Sequence, residues 1–282
     1  MASDAKADPA KAAATARHEM AQKKLVYQAP GAAAVTVARD LEYRVTDAGA
    51  LTMDVYYPPG APGAAPLPAV VLVLGYSDLG AQAFFGCKFK EMESFVSWAR
   101  LAAANGMAAI AYGTGKEPAA DADCVLHHLR QNAASLGLDA DRIAVWACSG
   151  HVPNALSVLT QPGGEHLRCA VLCYGFMLDL DGSTAVADAA KIFRFVNPAA
   201  GKSVEDLPPG TPLFIARAGK DENPGLNETI DRFVDQALRR NLPVTLVNHA
   251  AAPHAFDLLH DSETSRQVIR DVVAFLRFHL LG

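Results

Sequence analysis

Hydrophobic and polar positions fall into two regimes along the chain. In AVTVARDLEYRV (34–45) and LTMDVYYP (51–58) they alternate. That period suits strands with one wetter face, as in an antiparallel hairpin at a sheet edge. From residue 69 the alternation gives way to continuous apolar runs. AVVLVLG (69–75) reads as a strand buried on both faces. GMAAIAYG (106–113), DRIAVWAC (141–148), LRCAVLCYG (167–175), TPLFIARAG (211–219) and PVTLVNH (243–249) are further strands. Helical spacing fills the gaps at about 90–105, 118–136, 150–159, 225–240 and 263–280. Pro153 demands a first-turn position in its helix. Asp261 or Ser262 is a candidate N-cap for the last helix, whose apolar face carries Val268, Ile269, Val272, Val273 and Leu276.

Alternating strands and helices imply an α/β fold, with a mostly parallel eight-stranded sheet and helices on both faces. Residues 1–33, rich in Ala and polar residues, read as a loosely packed, partly helical N-terminal arm ahead of one catalytic domain over 34–282. GAPGAAPLP (60–68) reads as a loop. Residues 176–210 are too long for a bare connection and read as a small cap-like insertion after the sixth strand.

Composition narrows the function. With 282 residues and 51% hydrophobic positions the chain can bury a large core in one domain. The net charge of −5 and the lack of a Lys/Arg cluster argue against a nucleic-acid partner. No apolar run is long enough to span a bilayer, and the N-terminus lacks the apolar core of a secretory signal, so a soluble cytoplasmic protein is expected. Cys87, Cys124, Cys148, Cys169 and Cys173 form neither a disulfide framework nor a zinc pattern, and neither a metal nor a cofactor is expected. A homo-oligomer is compatible with all of this.

Ligands of open parallel sheets bind beyond the carboxyl ends of the strands, so the residues that follow each strand carry the chemistry. After IAVW come Ala147-Cys148-Ser149-Gly150-His151, leading straight into a helix. Strand, tight turn and helix with Ser at the apex form the arrangement of a nucleophile elbow. It exposes the hydroxyl and sets the Gly150 N–H at a helix start, facing a developing oxyanion. His151 stands where a small residue is usual. Taken alone, a Ser after a strand is more often a helix cap than a nucleophile. Partners change that. Asp221 follows the strand ending at Gly219, and His254 lies in the loop before the last helix. The chain order Ser, Asp, His suits a nucleophile, an orienting acid and a general base. His249 is a fallback base. His127 and His128, adjacent on a helix, project apart and make a poor metal pair.

LTMDVYYP, PAVVLVLG, EPAADADCVLHHLR, DRIAVWACSG, ARAGKDENPGLNE and PHAFDL together resemble the dienelactone hydrolase-like branch of the α/β-hydrolase superfamily, and bacterial serine esterases of the same fold. The resemblance runs from about residue 50 to the end. It implies an α/β-hydrolase fold and a carboxylic ester hydrolase working through an acyl-enzyme. It also implies a second oxyanion donor at the backbone N–H of Tyr76. Cys148 is the rival nucleophile, since dienelactone hydrolases place cysteine at the elbow. The family spacing of seven residues from the basic residue at the strand start, here Arg142, falls on Ser149 instead. Phe84, Phe85, Phe176, Met177, Cys148 and His151 are candidates for the substrate wall. The implied partner is a small-molecule ester. The alternatives are a lactone substrate or a non-catalytic binding protein of the same fold.

Overall fold

The computed structural model describes residues 9–61 and 65–282. Residues 62–64, within the loop read at 60–68, and residues 1–8 of the arm lie outside them. Eight strands form one sheet: β1 (Thr36–Thr46), β2 (Gly49–Tyr57), β3 (Leu67–Leu72), β4 (Ala108–Tyr112), β5 (Leu138–Cys148), β6 (Leu167–Cys173), β7 (Leu213–Ala218) and β8 (Val244–His249). Their order is β1-β2-β4-β3-β5-β6-β7-β8. β2 pairs antiparallel with both β1 and β4, and every later pairing is parallel. The carboxyl ends of β3, β5, β6, β7 and β8 therefore share one edge.

The change of pattern at residue 69 corresponds to depth in the sheet. Every residue of β4, and β3 from Pro68 onward, is buried. Successive strand residues face opposite sides, so both faces must be covered. At the margins, β1 and β8 keep many exposed positions. Each fully buried Val, Leu or Ile contributes about 1.5–3 kcal/mol, so the central strands are the rigid base of the molecule.

The helices between and after the parallel strands include α3 (Glu93–Ala104), α4 (Pro118–Gln131), α5 (Val152–Thr160), α7 (Leu226–Arg239) and α9 (Glu263–Leu281). Pro153 occupies the first turn of α5. Ser262 caps α9, its hydroxyl accepting the Ser265 N–H at 3.1 Å. The other α-helices among the described residues are α1 (Pro9–Ala21), α2 (Asp78–Phe85), α6 (Ala185–Phe193) and α8 (Phe256–Leu259).

The N-terminal segment is more firmly held than its composition suggests. Ala21 and Leu25 are buried. The Leu25 N–H donates to Ser97 Oγ at 3.2 Å, and the Val26 N–H to the Asp257 carbonyl at 2.8 Å. Two ordinary hydrogen bonds and two apolar anchors fix a segment that has no apolar stripe of its own. In the 176–210 segment, the Asp179 carboxylate accepts the Val186 and Ala187 N–H groups at 2.8 and 3.0 Å, which caps α6.

Candidate active site

Ser149 directly follows β5 and has φ 54°. A left-handed backbone at a residue other than glycine costs about 1–3 kcal/mol and persists only where the surroundings enforce it. Here two glycines let the surroundings close in. A Cβ on Gly175 would lie 2.5 Å from the Ser149 carbonyl oxygen, and one on Gly150 would collide with the Tyr76 hydroxyl. The strand thus turns within one residue and presents the Ser149 side chain above the sheet edge.

Ser149 Oγ lies 2.7 Å from His254 Nε2, and His254 Nδ1 lies 2.6 Å from Asp221 Oδ2. The Asp221 side chain is fully buried while that of His254 keeps 30% exposure, so the imidazole alone is open to a ligand. Burial pushes the Asp221 carboxyl up, but His254, through its hydrogen bond and charge, and Asn223 hold it below its ordinary value. Asn223 contributes its N–H at 3.0 Å and its Nδ2 at 2.8 Å, both to Oδ1. An ionised carboxylate only accepts, so Nδ1 carries the proton and Nε2 offers its lone pair to the Ser149 hydroxyl.

The loops bearing the acid and the histidine are tied to each other. Gly219 and Lys220 donate their N–H groups to the His249 and Ala252 carbonyls at 2.9 and 2.8 Å. A Cβ on Gly219 would lie 2.5 Å from the Ala250 carbonyl oxygen. Beneath the imidazole, Tyr174 packs edge-on with ring centroids 5.3 Å apart. Tyr174 donates its hydroxyl to Asp257 Oδ1 at 2.6 Å, and Trp98 Nε1 donates to Oδ2 at 2.9 Å. Burial raises the Asp257 carboxyl above its ordinary value.

Across from this array, the segment after β3 is pinned at almost every polar atom. The Leu74 N–H donates to Tyr112 Oη at 3.0 Å, and the Leu74 carbonyl accepts from Asn154 Nδ2 at 2.6 Å. The Gly75 N–H donates to His151 Nδ1 at 2.8 Å, and the Gly75 carbonyl accepts the Val196 N–H at 2.8 Å. The Tyr76 carbonyl accepts from Thr114 Oγ1 at 2.8 Å. The Tyr76 N–H has no hydrogen-bond partner among the described residues. A Cβ on Gly75 would run into the Gly150 carbonyl oxygen, so this segment and the elbow touch backbone to backbone.

No protein-family model matches the chain, and no curated protein matches it. Solved structures do. An alpha/beta hydrolase enzyme, LAE6, from the metagenome of Lake Arreo, Spain, in a mutant form, is 18% identical with a TM-score of 0.70, over 96% of this chain and 89% of that one. A thermophilic esterase of the Planctomycetes species Thermogutta terrifontis is 21% identical with a TM-score of 0.65, over 88% of this chain and 93% of that one. A bacterial heroin esterase is 16% identical with a TM-score of 0.67, over 97% and 92% of the two chains. The chain has the α/β-hydrolase fold. Ser149, Asp221 and His254 lie beyond the carboxyl ends of β5, β7 and β8, the edge at which open parallel sheets bind ligands.

A cavity of about 590 Å³ opens over Ser149 in this α/β-hydrolase fold. Ser149, Gly150, Tyr76, His254 and Asn223 form its floor, and Phe84, Phe85, Phe176, Phe193 and Phe195 its walls, with Ala16, Arg17 and Met20 of α1 above. Three sequence candidates for the wall do not line it. Met177 is buried and donates its N–H to Thr229 Oγ1 at 3.2 Å. Cys148, on the strand's other face, belongs with Tyr174 and Asp257, and burial pushes its thiol up. His151 lies beneath the elbow, edge-on to Tyr76, Phe89 and Phe95, and burial pushes its pKa down to about 3. As a neutral ring it accepts the Gly75 N–H, so its part is to hold the segment before Tyr76. The alternative base, His249, is buried against Ser265 Oγ at 3.1 Å, away from the hydroxyl.

Sequence reasoning missed Asn223, Phe193, Phe195 and the α1 residues. The phenylalanines sit in the irregular 176–210 segment. Helix α1 carried no apolar face by which its docking could be read. No helix of the described residues is long and apolar enough to cross a membrane.

Proposed function

We propose that this protein is a serine hydrolase of carboxylic esters. The observation that carries the reading is the series Ser149 Oγ, His254 and Asp221, joined at 2.7 and 2.6 Å, at a serine with a left-handed backbone. In this reading His254 Nε2 takes the hydroxyl proton as Ser149 Oγ attacks the ester carbonyl. The N–H groups of Gly150 and Tyr76 receive the oxyanion. His254 then protonates the leaving alkoxide, which gives an acyl-enzyme on Ser149 and a free alcohol. Water, losing its proton to the same His254, releases the acid and restores the hydroxyl. The esterases among the solved neighbours support the reaction class, and the apolar cavity suits an ester with an apolar body.

A cysteine nucleophile, as in the dienelactone hydrolase branch, is the less favoured version. Desolvation pushes the half-buried Cys148 thiol up, the opposite of what a thiolate nucleophile needs. A lactone remains within the serine chemistry, since ring opening uses the same steps.

Hydrolysis of p-nitrophenyl esters of graded chain length tests the proposal. Ser149→Ala is expected to lower kcat by about 10⁴-fold or more with the fold intact, and Cys148→Ala to leave turnover. Turnover surviving in Ser149→Ala would overturn the assignment. A wild-type protein that cleaves no ester and ignores a fluorophosphonate probe would mark a non-catalytic member of the fold.

A further inference from the structure

The cavity above Ser149 is apolar except at two places. The floor holds the reacting groups, and the mouth holds the guanidinium of Arg17. Arg17 lies over the Phe84 ring, 4.1 Å from its centroid. A guanidinium stacked on an aromatic face keeps its in-plane N–H fork free, and that fork matches a carboxylate in two parallel hydrogen bonds. Among the described residues no carboxylate lines the cavity to occupy it. The helix gives Arg17 no acid either: positions three and four residues away on each side are Ala13, Ala14, Met20 and Ala21. Among the described residues the exposed guanidinium thus meets no carboxylate, and it sits on the face of α1 that turns Ala16 and Met20 to the same cavity.

From this we infer that the site selects esters bearing a carboxylate at the end remote from the scissile bond. The inference rests on the ester-hydrolase reading. The apolar body of such a half-ester lies along Phe84, Phe85, Phe176, Phe193 and Phe195. Its carboxylate pairs with Arg17 while its ester carbonyl reaches Ser149. A neutral diester covers the same walls but leaves the guanidinium to water. Arg17 is then a specificity residue contributed by the N-terminal helix, with no part in bond making.

The test measures binding by calorimetry, with Ser149→Ala protein, so that it reads affinity independently of turnover. The probes are monomethyl adipate and dimethyl adipate. The half-ester is expected to bind about fivefold or more tightly than the diester at low salt. That ratio should approach one in the Ser149→Ala/Arg17→Met protein, survive in part with Arg17→Lys, and shrink at about 0.5 M salt. Equal binding of the two probes, no binding of either, or a preference that persists in Arg17→Met would overturn the anion subsite. Hydrolysis of p-nitrophenyl butyrate by the wild type is measured alongside. Its absence together with no fluorophosphonate labelling, with the binding preference intact, would sink the hydrolase reading and leave the subsite standing.

Discussion

The two halves of the site are built on opposite plans. On one side three side chains, each from the loop after a different strand, meet in a series of two short hydrogen bonds. On the other, the groups proposed to receive the oxyanion are backbone N–H groups of Gly150 and Tyr76. They are set by a segment whose polar atoms are tied to Tyr112, Asn154, His151, Val196 and Thr114. The first half depends on what its residues are. The second depends on where its backbone is, which several distant residues decide together. Changes of chemistry should therefore break the first half, and changes of shape the second.

The largest effect is expected where chemistry changes without shape. Asp221→Asn keeps the side-chain volume but can present an N–H to His254 Nδ1, which favours the wrong tautomer. A fall in kcat of about 10³–10⁴-fold is expected, with KM nearly constant. The rate of fluorophosphonate labelling should fall in parallel. An Asp221→Asn protein with near wild-type kcat would show that the acid does not orient the base.

The opposing half is probed by adding a methyl group. Gly75→Ala puts a Cβ onto the Gly150 carbonyl oxygen, so either the segment or the elbow must shift. Losing one oxyanion donor costs about 10²–10³ in kcat, and a loss of that size is expected here. Gly80→Ala is the control. Gly80 lies inside α2 with open space around it, so the same substitution there should leave kcat alone and stabilise the helix by about 0.5–1 kcal/mol. If both alanines behave alike, the close approach at Gly75 has no catalytic meaning.

The same contrast explains what could be read from the sequence. Ser149, Asp221 and His254 were legible because each is a reactive residue type placed just after an apolar strand, and strand order fixes which edge those positions share. Tyr76 came only through a family resemblance, since an N–H donor has no residue signature. Helix α2 has its cap signals, Ser77 accepting the Leu79 N–H and a left-handed Gly86, but its eight residues are too few for a helical period to stand out. Met177 and Cys148 were misjudged because position after a strand does not say which face a side chain takes. His151 was visible as an oddity beside the elbow. Its role depends on Gly75, 76 residues earlier in the chain, which no local pattern connects.

His151 also gives the smallest effect and the sharpest separation of the two halves. The folded protein keeps this imidazole neutral, with a pKa pushed from 6.5 to about 3 by burial. The unfolded chain binds a proton there below about pH 6.5 and the folded chain does not. The stability contributed is thus fully present above that pH and lost as pH falls towards 3, at about 1.4 kcal/mol per unit. Between pH 6 and 4 the loss from this one group is about 2.5 kcal/mol. His151→Phe cannot titrate, and it leaves the Gly75 N–H without an acceptor, at a cost of about 1–3 kcal/mol. At neutral pH the variant should be the less stable protein in urea unfolding. As pH falls, every other group titrates alike in both proteins, so the gap between them should close and then reverse. A gap that stays constant from pH 7 to 4 would mean that the folded protein protonates His151 without penalty. The neutral bond to Gly75 would then not be what holds the oxyanion segment in place.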